Sequence, residues 1–140
     1  MKKTVYIIEK DPVLGEQVQR CLEEDFDLEK VIRFDDLAAL EAHLTESESW
    51  PSLVLVDLDP QPQAVVSAVA QLKAHPLWKK VVVLGWGEKL SAEQIHQAYL
   101  AGFGSTHDKP VDGGQRIRMI QQMAQYWLHT SSLPHGLTGP

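Results

Sequence analysis

Three short apolar runs in this chain do not alternate with polar residues: Thr4-Val-Tyr-Ile-Ile8, Ser52-Leu-Val-Leu-Val-Asp57 and Lys80-Val-Val-Val-Leu-Gly85. A strand with one wet face alternates. A strand covered on both faces does not need to, and helices on both sides of a parallel sheet create that condition. The segments between the runs carry helical spacing instead. Asp11 caps a helix opened by Pro12, with Leu14, Val18, Cys21 and Leu22 on one face. Leu28 to Phe34 is a second strand, and Asp35 or Asp36 caps a helix carrying Leu37, Leu40 and Leu44. The polar stretch Thr45 to Ser49 is read as a loop. A third helix runs from about Gln63 to Ala74 with Val66, Val69 and Leu72 inward.

Ser91-Ala-Glu-Gln94 is a capping box opening a fourth helix, with Ile95, Ala98 and Tyr99 on one side and Gly102 at its end. Residues 104 to 108 form a fifth strand whose polar Thr106 and His107 suit a sheet edge. A last helix from about Gly114 carries Ile117, Ile120, Ala124 and Trp127 on one stripe. Residues 129–140 show no periodicity and are left irregular, so residues 1–128 make the domain. Right-handed crossovers leave five such units one common solution: a five-stranded, doubly wound parallel sheet in the order 2-1-3-4-5.

In such a sheet, chemistry gathers where the strands end. The first strand runs into Glu9, Lys10 and Asp11, the third ends on Asp57 with Asp59 beyond, and the fifth runs into Lys109. The shared rim is therefore rich in carboxylates and ammonium groups. Thirteen basic against nineteen acidic residues give a net charge of −6, which argues against nucleic acid or an anionic membrane as partner. No apolar run is long enough to span a bilayer, and Met1-Lys-Lys-Thr4 leads straight into a strand, so a cytoplasmic location is expected. The single cysteine, Cys21, falls on a core stripe and is read as packing rather than as a nucleophile. The six histidines show no metal-ligand spacing.

With these residues in place, the chain resembles the receiver domain of two-component response regulators, a (βα)5 flavodoxin-like fold. The resemblance covers residues 4 to about 128. It is carried by Ile8-Glu9-Lys10-Asp11-Pro12, Leu55-Val56-Asp57-Leu58, Ala101-Gly102 and Asp108-Lys109-Pro110. His75-Pro76 and the tail from Tyr126 to Pro134 are similar to the single-domain regulators that partner phytochrome-type histidine kinases. The resemblance implies that Asp57 is the phosphoryl-acceptor position, that Lys109 binds a phosphate oxygen, and that the Lys109–Pro110 peptide is cis. It also implies a histidine kinase as partner, and association through the face built by the fourth helix, fifth strand and fifth helix.

Three positions depart from the family pattern. Lys10 stands where a second acid helps hold Mg²⁺, Gly85 where a hydroxyl takes a phosphate oxygen, and Thr106 where an aromatic residue follows that hydroxyl inward. An ammonium cannot ligate Mg²⁺, so Lys10 is expected to pair with Asp57 or Glu9. Glu9, Asp57 and Asp59 remain as oxygen donors for a weakened metal site. Trp86 is expected at the surface above the site, as a packing residue, a cover for the pocket or a partner contact. Trp127 is expected in the core, with Tyr126 and Leu128 facing outward as homodimer contacts and Tyr99 on the same face.

The resulting expectation is a stand-alone, atypical response regulator, not an enzyme. It acts by docking, with phosphorylation at Asp57 impaired or absent. The rival reading is a working phosphorelay receiver. A flavin or nucleotide binder on the same topology would need a Gly- or Ser-rich phosphate loop after the first strand, where Glu9-Lys10-Asp11-Pro12 stands instead. No nucleophile, histidine and acid converge on the rim to suggest a hydrolase.

Overall fold

A computed structural model describes residues 2–46 and 50–130. Five strands, β1 (Thr4–Ile8), β2 (Lys30–Phe34), β3 (Leu53–Asp57), β4 (Val82–Gly87) and β5 (Ser105–Asp108), form one parallel sheet in the order β2-β1-β3-β4-β5. Five helices connect and cover them: α1 (Pro12–Asp25), α2 (Leu37–Glu46), α3 (Pro62–Leu72), α4 (Ala92–Ala101) and α5 (Gly113–Ala124). The order is the one expected, with β2 and β5 at the edges.

The non-alternating strands bury both faces, because each side of the sheet carries its own core. Val5, Ile7, Leu53, Leu55, Leu84 and Trp86 pack against α1 and α5 through Leu14, Val18, Leu22 and Ile120. Tyr6, Ile8, Val54, Val56 and Val83 face the other way, against Leu40, Val66, Val69 and Ala98. Cys21 is buried, and burial pushes its thiol up to about 11, in keeping with a packing role.

Local chemistry fixes the helix ends. Asp11 accepts from the backbone N–H groups of Val13 and Leu14, and Asp36 from that of Ala39. Ser91 and Gln94 close the capping box reciprocally. Gly102 ends α4 at φ 109°, a left-handed conformation open to glycine without steric cost.

Five local expectations need correcting. Thr45 and Glu46 belong to α2 rather than to a loop; residues 47–49 lie outside the described residues. Strand β4 continues beyond Gly85 through Trp86 to Gly87, because Trp86 pairs in register with Asp57. A 3-10 turn over Trp78–Lys80, not anticipated, leads into β4. The cis peptide is Asp59–Pro60, and Lys109–Pro110 is not cis.

The last correction concerns the C-terminus. After α5 the chain continues as a π-helix over Gln125–Thr130, so helical structure reaches past the expected boundary at residue 128. Residues 131–140 of the expected tail lie outside the described residues. A π-turn inserts one residue per turn relative to an α-helix and rotates the following stripe. The inward series becomes Ile120, Met123, Ala124 and Leu128. Leu128 is thus a core residue and not an exposed dimer contact, Trp127 is half-buried, and Tyr126 faces outward as expected.

Candidate functional site

The parallel register brings the C-terminal ends of β1, β3, β4 and β5 to one edge. Glu9 follows β1 directly and its side chain turns inward, while Lys10 begins the bend toward the Asp11 cap and faces solvent. Asp57 closes β3 opposite Trp86. Lys109 follows β5, held by its backbone N–H donating to the Gly87 carbonyl at 2.9 Å.

The Lys109 ammonium is the hub. Its Nζ lies 3.0 Å from Asp57 Oδ1, 3.4 Å from Glu9 Oε1 and 3.9 Å from Asp59 Oδ2. It also stands 5.3 Å from the centre of the Trp86 ring, within cation–π reach. The side chains of Lys109, Glu9 and Asp57 are 7%, 3% and 8% exposed, so these charges meet with little water between them. Asp59 is more open. Its carboxylate accepts the Glu88 backbone N–H, and its own N–H donates to Asp57 Oδ1 at 3.1 Å. Gly87 lets this carboxylate close in, since a Cβ there would lie 3.2 Å from Asp59 Oδ1.

Three carboxylates around one ammonium leave an excess of negative charge, and Glu9 absorbs it. Burial, then a hydrogen bond to the Asp57 side chain and the charge of Asp57, push Glu9 up to about 7. The Lys109 charge and the Asp11 backbone N–H pull the other way without prevailing. At mildly acidic pH the rim therefore holds a proton on Glu9, hydrogen-bonded to Asp57.

Lys10 does not enter this cluster. It forms no ion pair among the described residues, and the ammonium found at Asp57 and Glu9 is that of Lys109. Lys10 lines a neighbouring cavity of about 280 Å³ together with Asp35, Asp36, Asp57 and Asp59. The expected donor set of Glu9, Asp57 and Asp59 closes on an ammonium. Among the described residues, no group of three or more His, Cys, Asp or Glu is arranged to hold a metal ion. Lys10, at the position the resemblance gives to a second acid, brings an ammonium in place of the oxygen ligand that Mg²⁺ requires.

Gly85 and Thr106 are in register on β4 and β5. A Cβ at Gly85 would meet the Phe103 ring at 2.8 and 3.0 Å and Leu58 Cδ1 at 3.1 Å. Phe103, which is 4% exposed, thus occupies the room a hydroxyl side chain would use. Thr106 is half-buried, and its backbone N–H donates to the Tyr99 hydroxyl at 3.3 Å. Tyr99 is 48% exposed on α4. Trp86 is neither a surface residue nor a partner contact: at 4% exposure it is a wall of the site.

Sequence reasoning did not single out Phe103, and it added Lys10 as a partner of Asp57 or Glu9, where Lys109 stands. The first was beyond reach, since nothing in the sequence ties residue 103 to residue 85. The second was within reach, because Glu9 ends the buried run while Lys10 precedes a helix cap.

The phosphorylated cyanobacterial phytochrome response regulator RcpA superposes on the chain with a TM-score of 0.85 at 20% identity, covering 96% of this chain and 99% of that one. The chain has the receiver fold. The Mn(2+)-bound form of the response regulator Rcp1 matches with a TM-score of 0.80 at 23% identity, over 94% and 99% of the two chains. A response regulator in red light signaling of R. palustris matches with a TM-score of 0.73 at 22% identity, over 94% and 98%. No protein-family model matches the chain, and no curated protein sequence matches it. The receiver fold places Asp57 and Lys109 together at the sheet rim, as the resemblance implied.

Proposed function

We propose that the chain is a single-domain response regulator of two-component signalling that works by docking to a histidine kinase or another signalling protein, with phosphoryl transfer to Asp57 impaired. The observation that carries the reading is the filled space at Gly85. With Phe103 and Leu58 within 3.1 Å of where a Cβ would stand, no hydroxyl is available to take a phosphoryl oxygen or to report it to the outer helices. The solvent-facing Lys10 adds to this, because it withholds an oxygen ligand next to Asp57. In this reading the protein is not an enzyme and is cytoplasmic and homodimeric, with Tyr99 and Tyr126 exposed on the associating face. Among the described residues, no helix is long and apolar enough to cross a membrane.

The rival reading, a working phosphorelay receiver, is favoured by the intact contact between Asp57 and Lys109 at 3.0 Å. Incubation with acetyl phosphate and Mg²⁺, followed by intact mass, separates the two. Slow, substoichiometric modification that rises in Lys10→Asp is expected. Rapid, complete modification of the unaltered chain, lost in Asp57→Asn, would establish the rival.

A further inference from the structure

On the far side of β5 lies a second constellation, unconnected to the acidic rim. Strand alternation puts Ser105 and His107 on one face of this edge strand. A spacing of four puts Met119 and Met123 one above the other on α5. All four line one cleft of about 300 Å³, with Trp127 as part of its wall. Ser105 Oγ lies 2.8 Å from His107 Nε2. When Nε2–H donates to that hydroxyl, the ring's lone pair is at Nδ1. This is the arrangement by which a neighbouring acceptor orients a metal-binding imidazole.

We propose that this cleft binds a soft monovalent cation, copper(I) or its analogue silver(I), on the imidazole of His107 and the thioethers of Met119 and Met123. Thioether sulfur selects soft ions, and imidazole accepts them readily. No carboxylate or thiolate lines the cleft, so a divalent ion would enter with its charge uncompensated, whereas a monovalent soft ion needs no anionic ligand. The proposal stands apart from the function assigned to the rim.

The test is a titration of the full chain with silver nitrate in chloride-free buffer, read by the ¹³C-methyl resonances of its three methionines. It is run in a Cys21→Ala background to remove the thiol. Met119 and Met123 are expected to shift and saturate at one equivalent while Met1 stays put. Met119→Leu with Met123→Leu keeps the apolar volume and is expected to abolish saturable binding. Ser105→Ala is expected to weaken binding roughly 10- to 100-fold by freeing the ring. Zinc sulfate should leave the methyl resonances unmoved. Joint movement of all three methionines, the absence of saturation, an equal response to zinc, or undiminished binding in the double leucine variant would each overturn the proposal. If the double variant does not fold, the pattern among the three methyl groups in the parent chain decides.

Discussion

Replacing Glu9 with Gln should make the protein more stable at pH 8 and flatten its pH profile. Glu9 is 2% exposed and stands at about 7 against an ordinary value of 4.5. Its folded state therefore binds a proton more tightly than its unfolded state. The stability this contributes is complete below about pH 4.5 and is lost as pH rises through about 7. At about 1.4 kcal/mol per pH unit, that interval corresponds to roughly 3 kcal/mol. Gln reproduces the protonated carboxyl: its carbonyl can accept from the Asp11 N–H, as Glu9 Oε2 does at 3.3 Å, and its amide can donate to Asp57. The variant forfeits the 3.4 Å contact of an ionised Glu9 with Lys109, so the net gain at pH 8 is expected at about 1–3 kcal/mol. For a chain of this size that raises the melting temperature by roughly 3 to 10 °C. Urea titrations of both proteins between pH 5 and 8, followed by tryptophan fluorescence, measure the difference directly, since slopes from other groups cancel. Parallel pH profiles, or a Gln variant weaker than the parent at pH 8, would show that Glu9 is stably ionised and that Lys109 dominates the site.

Two further pairs of substitutions probe the packing. Gly85→Ser should destabilise by about 1–3 kcal/mol through overpacking against Phe103 and Leu58, and Phe103→Leu in the same chain should restore part of the loss. Strict additivity in that double-mutant cycle would refute the contact. Leu128→Ala should cost about 2–4 kcal/mol in thermal or urea unfolding, while Tyr126→Ala, at a 53% exposed site, should stay within about 0.5 kcal/mol. Comparable losses would place the outward stripe of the last helix elsewhere.

The sheet order and the edge position of β5 were legible in the sequence because they follow from burial of the strands on both faces and from crossover handedness. The helix starts were legible because Asp11, Asp36 and Ser91 announce themselves chemically. The π-turn was not, since Gln125-Tyr-Trp-Leu128 fits an α-helical stripe as well, and only packing against Phe26, Lys3 and their neighbours selects Leu128 as the inward residue. At the rim, the identities of Glu9, Asp57 and Lys109 could be read from strand ends. Whether Lys10 joins them turns on which of residues 9 and 10 is the last to face inward, and the Asp11 cap that follows Lys10 turns its side chain out. Trp86 was misplaced by ending the strand at Gly85, whereas the backbone pairing with β3 runs on through Gly85 to Trp86.

Since the aromatic ring at 103 and the empty Cβ position at 85 share one volume, the two sites are a single inheritable unit. A chain given a side chain at 85 before 103 is trimmed has an overfilled interior, and one in which 103 is trimmed first has a void. Either single step is uphill, so the two positions can only be exchanged together at low cost.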